Sequence, residues 1–153
     1  MRHLNIVAIF TVMLTLLPSL VSAENVIDDS KNPGYLFVIS GTSGSLEGDT
    51  LTLNGVPNVV YFTDRPARVA EHISFEKFVE SWNEESDSFK ADPPNATLSV
   101  LKEAEAKQVV VELMSADMKK GSIYFKVEVL EGNVTGTFTV ASIFIDSDPD
   151  FSM

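Results

Sequence analysis

Apolar and polar positions alternate with a period of two along much of the chain, the spacing of strands with one buried face. Tyr35 to Ile39 is a continuous apolar run of strand length. Gly41 to Ser45 is rich in Gly, Ser and Thr, which suits a thin strand or a bulge. Glu47-Gly48-Asp49 makes a turn, after which Thr50 to Asn54 places Leu51 and Leu53 on one face. Leu46 and Leu51 flank that turn as a hairpin pair. Gly55 to Asn58 turns the chain again, and Val59 to Thr63 is a β-branched and aromatic strand. Thr97 to Leu101 and Val109 to Leu113 predict two short strands, joined by an Ala/Glu/Lys segment that reads as a helical turn or an exposed loop. Asp117 to Gly121 is a turn. Ser122 to Leu130 then sets Ile123, Phe125, Val127 and Val129 on one side. In Thr137 to Ile145 the apolar phase shifts near Ala141, which a β-bulge or burial on both faces would reconcile.

One segment has the helical period instead. Phe75, Phe78, Val79 and Trp82 fall on a single face, Ser74 is a good N-cap, and Glu76 sits in the first turn where a carboxylate complements the helix dipole. The spacing predicts an amphipathic helix over about residues 74–83, burying its Phe/Trp stripe against a sheet. Pro93-Pro94 forbids regular structure beyond the polar exit from Glu84 to Asp92. Seven or eight short strands with frequent turns and one helix predict a mainly β domain, an antiparallel sandwich or barrel. No βαβ alternation and no internal repeat is present.

The N-terminus has a different pattern. Arg2 and His3 precede an apolar run from Ile6 to Leu17, which Pro18 breaks, and Val21-Ser22-Ala23 is a small-residue cleavage site. Residues 1–23 read as a secretory signal peptide, too short in their apolar part for a membrane span. The expected organisation is the signal over 1–23, a flexible arm over 24–34, one β-rich domain over 35–146 and an acidic tail over 147–153. The protein is expected to be exported, to the periplasm or outside the cell, with no membrane span after cleavage.

Charge and composition narrow the chemistry. The chain has 22 acidic against 11 basic side chains, a formal net charge of -11, and no cysteine. Disulfides and thiolate chemistry are excluded, so stability must come from core packing. Nucleic acid is excluded as a partner, because phosphate binding draws on clustered Lys and Arg. Removing the signal leaves His72 as the one histidine, too few for a zinc site. Asp146-Ser147-Asp148-Pro149-Asp150 invites calcium, but it lacks the glycine and distal glutamate of an EF-hand loop and reads as a solvated tail. No metal site and no cofactor is expected. Asn95-Ala96-Thr97 and Asn133-Val134-Thr135 match the glycosylation sequon, which matters only in a glycosylating host.

The segment Tyr61 to Arg68 is the most distinctive. Arg65 and Arg68 are the only arginines after Arg2, the other cations being lysines. A guanidinium is a rigid, bidentate fork for carboxylate or phosphate. One reading is therefore a small anion site formed by Asp64, Arg65 and Arg68, with His72 and Trp82 nearby; Arg65 grips the anion, Arg68 adds charge and Trp82 supplies an apolar wall. The other is that Asp64 and Arg65 merely fix the loop and pair with internal acids. His72, beside Glu71, has the chemistry of a general base, or it caps the helix start. A hydrolase would need a hydroxyl nucleophile such as Ser43 delivered to it, and the Gly-x-Ser-x-Gly elbow is absent.

Several of these segments together, Thr42 to Ser45 (TSGS), Leu51 to Val56 (LTLNGV), Val60 to Arg68 (VYFTDRPAR), His72, Phe78 to Trp82, Phe89 to Ala96 (FKADPPNA) and Phe144 to Asp146, resemble a family of uncharacterised exported bacterial proteins. The similarity runs from about Tyr35 to Asp146. It implies a bacterial, exported, single-domain protein, and it lends no catalytic or ligand residues. The expected function is a non-enzymatic binding or structural module of the bacterial envelope, whose partner is a small anionic ligand or an envelope protein. The alternative is a small hydrolase with His72 as base and a Ser or Thr nucleophile. A third reading is assembly through an exposed strand edge.

Overall fold

A computed structural model describes residues 34–65, 67–82 and 89–147 of the 153-residue chain. In chain order the elements are β1 Tyr35–Gly41, β2 Ser43–Glu47, β3 Thr50–Asn54, β4 Val59–Thr63, β5 Ala70–Ile73, α1 Phe75–Trp82, β6 Asn95–Lys102, β7 Glu105–Lys119, β8 Ser122–Gly132, β9 Gly136–Phe138 and β10 Val140–Asp146. The ten strands make one sheet in the order β5-β4-β1-β10-β6-β7-β8-β3-β2-β9, and every pairing is antiparallel. The mainly β class and the one helix agree with the periodicity. The sheet does not close into a barrel.

It wraps one core instead. Gly41 of β1 pairs with Ala141 of β10, and further along the same ladder Gly44 of β2 pairs with Phe138 of β9. The chain breaks its strand at Thr42 on one side and Thr139 on the other, yet the register is kept. The far reach of the sheet is thus folded back toward its middle. Inward side chains from strands across the whole order, among them Phe37, Leu53, Leu98, Leu113, Phe125 and Ile143, share a single cluster and are fully buried. Each such side chain contributes about 1.5–3 kcal/mol by leaving water. With no cysteine in the chain, this burial is the main source of stability.

The helix lies on the inside of the wrap. Its apolar stripe meets the sheet through aromatic rings, with Phe78 5.2 Å from Phe37, Phe75 6.1 Å from Phe125 and Trp82 6.2 Å from Phe125, in edge-on or tilted geometry. Such contacts add to area burial. Ser74 caps it: its Oγ accepts from the Lys77 backbone N–H at 3.3 Å, and its carbonyl accepts from Phe78 N–H.

Several boundaries differ from the sequence reading, each for a local reason. The expected Leu46–Leu51 hairpin pair forms as predicted. The segment 105–119 is one long strand, where a short strand flanked by a loop and a turn was expected. Its ends are two-residue turns at Glu103-Ala104 and Lys120-Gly121, all four residues with positive φ. That is the twist a tight hairpin favours, but Glu103, Ala104 and Lys120 do not announce it. Residues 70–73, which the periodicity assigns to no element, form the edge strand β5. Asp146, the last residue of the expected domain, pairs with Leu36, and Ser147 of the expected tail joins the same edge. Ser147 after it is buried; its N–H and hydroxyl both donate to the Tyr35 carbonyl, and its Oγ accepts from Tyr35 N–H. The phase shift near Ala141 is a break at Thr139: Phe138 points in and Val140 out. The signal segment 1–23, arm residues 24–33 and tail residues 148–153 lie outside the described residues.

Candidate functional site

Strand β4 ends at Thr63 and β5 begins at Ala70, and the residues between them form a clasped loop. Thr63 N–H donates to Val69 O at 3.1 Å, while Val69 N–H donates to the Thr63 hydroxyl at 2.8 Å. Inside this clasp Arg68 N–H donates to Asp64 O at 3.0 Å. That bond holds Arg68 at a φ of 52°, a left-handed conformation that an L side chain adopts at a cost of about 1–3 kcal/mol. Asp64 N–H in turn donates to Gly34 O, which ties the loop to the start of β1.

Asp64, Arg65 and Arg68 are all exposed on this loop. Among the described residues neither guanidinium enters an ion pair; the pairs present are Lys107–Glu105, Lys119–Asp117 and Lys126–Asp49. Pro66 lies outside the described residues. His72 is exposed on β5 opposite Val60, and no hydrogen bond joins its imidazole to a described residue. The loop, the two arginines and His72 therefore belong to one corner of the sheet.

Trp82 does not join them. It is 2 % exposed, its ring 5.0 Å from Phe89 and 5.8 Å from Phe78. Its Nε1 has no hydrogen-bond partner among the described residues. The helical period that placed Trp82 on the buried stripe, rather than its closeness in sequence to His72, decided its place. It forms no wall for the arginine loop. Tyr61, on the strand leading into that loop, is buried and donates its hydroxyl to Glu71 at 2.9 Å. Burial first, and then this hydrogen bond to a carboxylate, push its phenol pKa up from the ordinary value.

Ser43 is also set apart from His72. The cross-strand pairs run His72 to Val60 and Val60 to Val38, and Ser43 lies further along the chain beyond the break at Thr42. At about 3.3 Å per residue and 4.8 Å per strand, the two side chains are roughly 20 Å apart, beyond any proton transfer. Among the described residues no three His, Cys, Asp or Glu side chains group together as a metal site. Of the calcium candidate only Asp146 and Ser147 are described, and both are engaged in the β1 edge.

A second feature escaped the sequence reading. An open hollow of about 760 Å³ lies where β2 and β9 meet the end of β6, lined by residues that include Thr42, Ser43, Lys102 and Thr137 to Thr139. Several of its polar groups are already used internally: Lys102 Nζ donates to Thr135 O, Thr139 Oγ1 to Leu101 O at 3.1 Å and Thr42 Oγ1 to Asn54 O at 3.4 Å. The hollow arises from the strand breaks at Thr42 and Thr139 and brings together distant segments, so no local motif marks it.

No protein-family model matches the chain, and no curated protein or solved structure matches it.

Proposed function

We propose that the protein is an exported, non-enzymatic binding module of the bacterial envelope, which holds an anionic group of its partner between Arg65 and Arg68. One observation carries the reading. In a chain with 22 acidic side chains, both arginines after Arg2 stand exposed on one clasped loop, and neither is paired with a described carboxylate. Surplus acid elsewhere makes self-neutralisation easy, so two unpaired forks on a loop braced by four backbone hydrogen-bonding contacts are available to a partner's carboxylate or phosphate.

A thermal-shift series with sulfate, inorganic phosphate and citrate tests this. A ligand in excess over its Kd raises Tm by mass action. At least one of these anions is expected to do so at millimolar concentration, at fixed ionic strength. The double variant Arg65→Gln, Arg68→Gln is expected to lose the shift while keeping its ligand-free Tm. A shift of equal size in the double variant, or none in the wild type, would contradict the proposal.

A further inference from the structure

The outer face of β5, β4, β1, β10 and β6 has no described chain segment packed on it as a second layer, and its centre is apolar. Leu36 pairs across strands with Phe62, and Val38 with both Val60 and Phe144. Leu36, Phe62 and Phe144 are 39 %, 42 % and 41 % exposed. A row of serines, Ser40, Ser142 and Ser99, crosses the same face, the first two hydrogen-bonded at 2.9 Å. Beyond it Val140 pairs with Leu101, and both are exposed. Charge is nearly absent: Asp146, at the end of β10, is the one carboxylate on these strands' outward positions, in a chain whose net charge is -11. A largely apolar face with one carboxylate, on an acid-rich surface, marks an interaction site.

We infer that this face is the contact between two copies of the chain. Two arguments select a second copy. The first is charge. Copies of a strongly acidic chain repel through most of their surface, and on this face each copy presents a single carboxylate, Asp146 at the end of β10. The same net charge opposes docking on an anionic lipid surface. The second is size. Five strands spaced about 4.8 Å apart and about seven residues long make a flat footprint of roughly 500 Å². Two copies then bury about 1,000 Å² before side-chain relief is counted, the lower bound for a specific interface. Uncharged serines beside the apolar block suit a self-complementary two-fold contact, in which the same patch serves both partners. The contact leaves Arg65 and Arg68 at its margin, so it stands or falls independently of the anion reading.

Sedimentation equilibrium on the purified chain between micromolar and hundred-micromolar concentration tests it. The wild type is expected to show twice the chain mass at the upper end. Phe62→Glu and Phe144→Glu, at exposed positions, are each expected to weaken association by about tenfold or more while keeping the wild-type circular dichroism. Met118→Glu, at an exposed position on β7 beyond the part that pairs with β6, is expected to leave association unchanged. Should either face variant misfold, the milder Phe144→Ser replaces it. A wild type that stays monomeric at a hundred micromolar overturns the proposal, whether or not it co-sediments with phosphatidylglycerol vesicles. So does a dimer that persists in the folded Phe62→Glu, Phe144→Glu double variant.

Discussion

The ring of Phe138 lies against the backbone of Gly44, its direct cross-strand partner. A methyl group added at Gly44 would stand 2.6 Å from Phe138 Cε2 and 2.2 Å from the backbone oxygen of Thr52. Neither the ring nor the carbonyl has room to withdraw, because Phe138 is buried and Thr52 is held by its pairing with Ser45 and Tyr124. Glycine here lets an aromatic side chain pack flat on the strand where the folded-back reach of the sheet begins. Gly44→Ala is expected to destabilise the fold by about 1–3 kcal/mol through overpacking. Chemical denaturation checks it: the midpoint should fall with the slope unchanged.

The helix start gives a second prediction. Ser74 Oγ satisfies one of the backbone N–H groups that a helix N-terminus leaves unpaired. Ser74→Ala is expected to cost about 0.5–1 kcal/mol, and Ser74→Gly only a few tenths. Thermal denaturation followed by circular dichroism would rank the two. Equal losses would mean the cap contributes nothing.

Tyr61 predicts an alkaline effect with a definite sign. Its folded pKa is raised by burial and by the Glu71 carboxylate that accepts its hydrogen bond. A group with a raised folded pKa gives its full stabilisation below the unfolded value, about 10 for tyrosine, and loses it as pH rises through the folded value. Wild type should therefore lose stability above about pH 10 faster than Tyr61→Phe, although the variant is the less stable of the two near neutrality for want of the hydrogen bond. Urea midpoints measured across that range check it.

Arg68 carries the loop's backbone strain. Glycine adopts a φ near 52° without steric cost. Arg68→Gly is thus expected to hold or raise Tm while weakening the response to anions. A large loss of stability would show instead that the Arg68 side chain braces the loop.

The chain's periodicity made much of this architecture legible. The two-residue alternation marked the buried face of most strands, and the spacing of Phe75, Phe78 and Trp82 marked the helix and its stripe. Where the reading missed, tertiary context had the last word. Residues 70–73 carry little apolar signal because they form an edge, paired on one side only. The turn at Glu103-Ala104 lacks the glycine or asparagine that usually betrays positive φ. Arginine scarcity pointed to the loop at Asp64 to Arg68, and the loop is exposed. Trp82 is not beside it, because the helical face it shares with Phe78 turns it into the core. The hollow at Thr42 and Lys102 and the bare outer face had no local signature, since both depend on which strands the sheet order makes neighbours.

The most direct test of the account is a nuclear magnetic resonance titration of the guanidinium Nε–H signals, which Arg65 and Arg68 alone contribute after Arg2. With citrate or inorganic phosphate as the probe, both signals are expected to move together and saturate at millimolar concentration or below, while His72 and Trp82 signals change little. Signals that stay still, or that drift without saturation as they do for free arginine, would contradict an anion-binding role for this loop.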